Sequence, residues 1–83
     1  MTNTTIYSKD NCPYCVKAKA LLNRKGCNFT EIKITNDEMR EELVRKSGGR
    51  MTVPQIFIGE KHVGGCDDLY ALEAEGKLDA LLN

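Results

Sequence analysis

Two cysteines bracket a proline and a tyrosine at Cys12-Pro13-Tyr14-Cys15, and the residues on either side limit what this chain can fold into. Upstream, Thr4 to Ser8 holds the Ile6-Tyr7 pair and ends in the polar Lys9-Asp10-Asn11, the pattern of a short strand entering a turn. Downstream, Ala18, Leu21 and Leu22 form an apolar stripe with Cys15 at helical spacings of three and four. Pro13 suits the first helical position, where a missing N–H costs little, which leaves Cys12 in the N-cap region. Gly26, after Lys25, is a helix stop.

The alternation continues. Cys27 to Ile34 reads as a second strand with Phe29, Ile32 and Ile34 as its apolar positions. Phe29 is out of step with the two isoleucines, so either a bulge intervenes or both faces are partly covered. Thr35 and Glu38 have capping-box spacing ahead of a helix that buries Met39, Leu43 and Val44, and Ser47-Gly48-Gly49 ends it. Gln55 to Ile58, a turn around Gly59-Glu60-Lys61, and His62-Val63 read as a hairpin that Gly64-Gly65 breaks. Asp67 or Asp68 is the expected cap of a last helix carrying Leu69 and Leu72, and Leu78, Leu81 and Leu82 suggest a short terminal helical turn. The order β-α-β-α-β-β-α predicts an α/β fold with a four-stranded mixed sheet. Its first two strands are parallel across a crossover helix, and its last two form a hairpin.

The 83 residues are room for one domain, 1–83, near the lower limit for a core without staples. Twelve basic residues balance twelve acidic ones, which removes the electrostatic case for a nucleic-acid partner. No apolar run approaches the roughly 18–20 residues of a membrane span. Met1 to Thr5 lacks the basic and apolar regions of an export signal, so the expected location is cytoplasmic. Four cysteines without such a signal point to redox or metal chemistry rather than structural disulfides.

A thiol attacks a disulfide only as its thiolate, and an unperturbed thiol is only about 3% ionised at pH 7. A helix N-terminus offers unpaired N–H groups and the positive end of the helix dipole, both favourable to an anion. Cys12 is placed there as attacker, with Lys9 as a nearby cation. Cys15, one turn further on the same face, is placed as a more sheltered resolving thiol. The competing reading is a zinc site built from Cys12, Cys15, His62 and Cys66. Its two halves lie much further apart than in small zinc modules, and C-x-x-C beside a βαβ pattern favours redox.

Lys9 through Cys15, Thr52-Val53-Pro54 and Gly64-Gly65-Cys66-Asp67-Asp68-Leu69 resemble the three signature segments of the glutaredoxins, over nearly the whole chain. The likeness is to the small bacterial dithiol members. It implies a thioredoxin-like fold and disulfide exchange with glutathione as electron-donating co-substrate, without a bound cofactor or metal. Expected partners are glutathione, glutathionylated proteins and protein disulfides, with glutathione reductase acting indirectly, and the chain a monomer. By position, Cys12 would be the nucleophile, Cys15 the resolving thiol, and Val53-Pro54 a cis peptide bond beside them.

Thr52, Val53 and Pro54 would meet glutathione along its backbone, Val53 pairing with its cysteine residue like one more strand. Gly65, Cys66, Asp67 and Asp68 would hold the γ-glutamyl end. There the helix-start N–H groups meet the carboxylate and an Asp side chain meets the ammonium. Lys9 would meet the glycyl carboxylate and Tyr14 would edge the site, whereas Arg40, a second candidate for that carboxylate, reads first as a solvated surface charge. Many family members carry Arg directly before Thr-Val-Pro. Met51 stands there in this chain, with Arg50 one place earlier and so facing the other side. Cys27 is expected in the core and His62 on the hairpin surface, neither with a catalytic role. A general reductase fed by a flavoprotein is the alternative enzyme, and a zinc or iron–sulfur module the alternative of another class. Pro13 argues against a cluster, since cluster-binding glutaredoxins usually lack it.

Overall fold

Strand β1 (Thr4–Ser8) lies at the centre of the computed structural model, which describes residues 3–82. It leads through Cys12 into α1 (Pro13–Arg24), then β2 (Phe29–Lys33), α2 (Asp37–Lys46), the hairpin β3 (Gln55–Ile58) and β4 (Lys61–Gly64), α3 (Cys66–Ala74) and α4 (Leu78–Leu82). The sheet order is β2-β1-β3-β4, with β1 parallel to β2 and antiparallel to β3, and β3 antiparallel to β4. This is the expected mixed sheet, with the terminal turn present as a fourth short helix.

Side chains alternate across the sheet, and that separates two layers. On one face Ile6, Ile56 and Ile58 pack with Ala18, Leu21 and Leu22 of α1, Cys66 and Leu69 of α3, and Leu78 of α4. Each fully buried aliphatic side chain contributes about 1.5–3 kcal/mol, so this face carries most of the fold. On the other face Tyr7, Phe57 and His62 form an aromatic row, ring centroids 5.7 Å apart for Tyr7–Phe57 and 4.8 Å for Phe57–His62. Lys46 of α2 reaches that row, its Nζ 3.1 Å from the Tyr7 hydroxyl.

Several boundaries differ from the sequence reading. β2 begins at Phe29, not Cys27, and pairs with β1 in unbroken register from Thr4–Phe29 to Ser8–Lys33. No bulge intervenes: Phe29 faces the main core, and Ile32 the opposite side. The cap of α2 is Asn36, whose side-chain oxygen accepts the Met39 N–H at 2.9 Å, because Asn caps as well as Thr and stands one residue nearer. Thr35 instead lies against the Met39 sulfur. The hairpin turn is only Gly59-Glu60, Lys61 belonging to β4. The N-cap of α3 is Gly65, two residues before Asp67.

Because β1 and β3 are antiparallel, the end of β1 meets the start of β3. The end of β4 lies there too, as does the start of α2, which follows the parallel β2. The topology therefore gathers Cys12, Val53-Pro54 and Gly65-Cys66 at one edge of the sheet from three distant parts of the chain.

Candidate active site

Cys12 is the N-cap residue of α1, in extended conformation, with Pro13 following as the first helical residue. Its sulfur accepts the Cys15 N–H at 3.3 Å and lies 4.0 Å from the Val53 carbonyl oxygen. Both thiols are free in this structure. The expected difference in shelter is small, since Cys12 is 9% exposed and Cys15 1%. The Val53 segment lies against the Cys12 sulfur and contributes to its burial. Burial pushes the Cys15 thiol up to about 11; its hydrogen bond to Cys12 adds to this, and a hydrogen bond from the Lys9 backbone opposes it. Cys15 therefore keeps its proton at neutral pH.

The Val53-Pro54 peptide is cis. Thr52 and Val53 form a wall between two concavities. One, of about 400 Å³, is lined by Tyr14, Arg50, Thr52, Val53, Pro54, Gly65, Cys66, Asp67 and Asp68. The other, of about 350 Å³, is lined by Lys9, Ile34, Arg40, Leu43, Met51, Thr52 and Val53. The residues expected at the γ-glutamyl end thus share one hollow, and Lys9 lies with Arg40 in the other. A larger hollow of about 460 Å³ beside Tyr7, Ile32 and Phe57 contains no cysteine.

Arg50 and Met51 face opposite sides as adjacent residues of an extended segment must. Arg50 enters the first hollow, its Nη2 3.6 Å from Asp68 Oδ2, and Met51, 70% exposed, enters the second. Arg50 is the site residue the sequence reading passed over, although that alternation was the available signal. Asp68 Oδ2 also accepts the Gly65 N–H at 2.9 Å, closing the α3 terminus from its third residue. Tyr14 is 60% exposed at the rim. Cys66 is buried, and burial raises its thiol above the ordinary value.

Two expectations about other residues change. His62 is half-buried rather than on the surface: its ring stacks on Phe57, and its Nε2 lies 2.7 Å from Gln55 Oε1. Burial, then Arg50, holds it below the ordinary histidine value, with Asp68 opposing. Cys27 is only partly buried, packed against the main core just ahead of β2. The four residues of the zinc reading do not converge, and among the described residues no group of three or more His, Cys, Asp or Glu is placed to hold a metal ion. No helix of the described residues is long and apolar enough to cross a membrane.

Known proteins share this arrangement. The glutaredoxin family model matches residues 4–63. The chain is 59% identical to Glutaredoxin 3 of Escherichia coli K12 over 83 residues, covering 99% of each chain. It is 60% identical to a glutaredoxin of Pseudomonas aeruginosa over 84 residues, covering 100% of this chain and 99% of the relative. The solution structure of glutaredoxin from Brucella melitensis superposes with a TM-score of 0.87 at 60% identity, covering 99% of this chain and 89% of that one. A crystal structure of a buckwheat glutaredoxin–glutathione complex superposes with a TM-score of 0.88 at 32% identity, covering 98% and 76%. The sheet and its helices are the thioredoxin-like fold of these proteins. With its paired cysteines at the head of α1, the chain belongs to the glutaredoxin family, as a dithiol member, and is a thiol–disulfide oxidoreductase.

Proposed function

We propose that residues 1–83 act as a single domain that reduces glutathione mixed disulfides and protein disulfides, with glutathione as electron donor. The observation that carries this reading is the Cys12 sulfur facing the Val53 carbonyl, on the wall shared by the α3 terminus and the Lys9–Arg40 hollow. A glutathione laid along Thr52-Val53 brings its sulfur to Cys12. Its γ-glutamyl carboxylate meets the N–H groups of Cys66 and Asp67, and its ammonium meets Asp68. Its glycyl carboxylate meets Lys9 and Arg40. Pro54 backs the wall, Gly65 lets the α3 backbone approach, and Tyr14 closes the rim. The buckwheat glutaredoxin crystallised in complex with glutathione, of the same fold, supports glutathione as the ligand.

The Cys12 thiolate attacks the glutathionyl sulfur of a mixed disulfide, and the other half departs as a thiolate that takes up a proton. A second glutathione thiolate then attacks the Cys12-bound sulfur, releasing glutathione disulfide and restoring Cys12. With a protein disulfide, Cys12 forms a mixed disulfide with one substrate sulfur. Cys15 then loses its proton and attacks Cys12, expelling the reduced substrate and leaving a Cys12–Cys15 disulfide that two glutathiones reduce. Once Cys12 is in a mixed disulfide it no longer carries charge beside Cys15, so the second largest cause of the raised thiol, and its charge repulsion, disappear. The cytoplasm, where glutathione keeps thiols reduced, is the setting this chemistry needs.

The test is Cys12→Ser and Cys15→Ser against both substrate types. Cys12→Ser should lose all exchange, because a serine hydroxyl is not ionised at neutral pH. Cys15→Ser should keep deglutathionylation and lose dithiol reduction of a protein disulfide. A folded Cys15→Ser protein unable to deglutathionylate even with abundant glutathione would favour the flavoprotein-fed reductase instead.

A further inference from the structure

Gln55 is the first residue of β3 and 0% exposed, yet it carries an amide that packing alone does not require. Its Nε2 donates to the Thr52 carbonyl oxygen at 3.0 Å and to Thr52 Oγ1 at 3.2 Å. A carbonyl oxygen only accepts, so the amide is oriented with its NH2 toward Thr52 and its Oε1 toward His62. His62 Nε2, 2.7 Å away, must then be the N–H donor, which fixes the tautomer of the ring. The ring, on β4, is held by stacking on Phe57, its cross-strand partner in β3. Gln55 is itself pinned by pairing with Tyr7 of the central strand. A chain of three hydrogen bonds thus runs from the rigid sheet to the loop residue immediately before Val53. Every polar atom of the buried amide has a use in it, and its far end is the wall of both hollows.

From this geometry we infer that Gln55 and His62 are positioning residues that fix the Thr52-Val53 backbone in register for the substrate that pairs with it. This rests on the reading of Val53 as the residue that meets glutathione. Neither side chain touches the reacting sulfurs; each acts through Thr52. Loss of the tether frees the loop to leave its pairing position before substrate arrives, which weakens binding and leaves Cys12 as reactive as before.

The test compares Gln55→Leu, His62→Phe, His62→Gln and Asp68→Ala with the parent, using a glutathionyl mixed disulfide as substrate. His62→Phe keeps a ring on Phe57 and loses the donor, whereas His62→Gln restores a donor without the ring. Gln55→Leu and His62→Phe should raise KM about three- to tenfold, the range of one or two hydrogen bonds, with kcat within about twofold. His62→Gln should stay close to the parent. Cys12 alkylation by iodoacetamide should be unchanged throughout. Should Gln55→Leu fail to fold, the two His62 variants decide the matter alone. A parent-like KM in His62→Phe, or His62→Gln as impaired as His62→Phe, overturns the inference. If Asp68→Ala raises KM while the tether variants do not, only the tether falls. If the parent and Asp68→Ala show no glutathione dependence, the glutathione reading falls with it.

Discussion

Cys15 shows how one buried atom couples the chemistry to stability. Its thiol moves from an ordinary 9.0 to about 11, chiefly by burial and then by its hydrogen bond with Cys12. Between those values the unfolded chain has released a proton that the folded chain still holds. Folding stability from this group is therefore complete below pH 9 and is lost as pH rises towards 11, by about 2–3 kcal/mol in all. Denaturant unfolding of the reduced protein at about pH 8.5 and pH 10.5 checks this. The parent should lose more stability than Cys15→Ser across that window. Parallel losses would mean that burial does not hold the proton. Cys66 is buried and so raised in the same direction, but it is present in both proteins and cancels in the comparison.

At the scale of elements, the start of α3 is the most tightly constrained. Gly64 has φ +120°, and a Cβ added there would overlap the Asp68 carboxylate and lie 3.0 Å from its Cβ. Rotating the Asp68 side chain does not relieve that last contact, so backbone must move. Gly64→Ala should cost about 1–3 kcal/mol and raise the glutathione requirement, read as a lowered Tm and a higher KM for glutathione. A parent-like Tm and KM would show that the β4–α3 corner is more compliant than its geometry implies. The helices were legible in the sequence where they carry a helical apolar period, as in Cys15, Ala18, Leu21 and Leu22 of α1, and the strands as short apolar stretches bounded by turn residues. Their ends were less so. Thr35, Asn36, Asp67 and Asp68 are all competent caps, and only the path of the chain decides that Asn36 and Gly65 take the N-cap positions.

At the scale of the molecule, the site exists because the sheet order brings three segments, spread over more than fifty residues of chain, to one end of the sheet. Cys12 and Cys15 were readable from their spacing. The joining of Val53-Pro54 and Gly65 to Asp68 with them was readable only through the family resemblance, since no local pattern predicts that β3 lies beside β1. The tether from His62 through Gln55 to Thr52 was not legible at all. A histidine in a hairpin and a glutamine at a strand start carry no signal until strand pairing places them 2.7 Å apart. The central claim is that glutathione itself, not a flavoprotein acting directly, supplies the electrons. The most direct measurement is steady-state reduction of a glutathionylated protein by the parent chain in two arms, one with glutathione and glutathione reductase, the other with a thioredoxin-reducing flavoprotein and no glutathione. Turnover that saturates with glutathione in the first arm and is absent in the second is the predicted result. Turnover in the second arm, unchanged when glutathione is added, would contradict it.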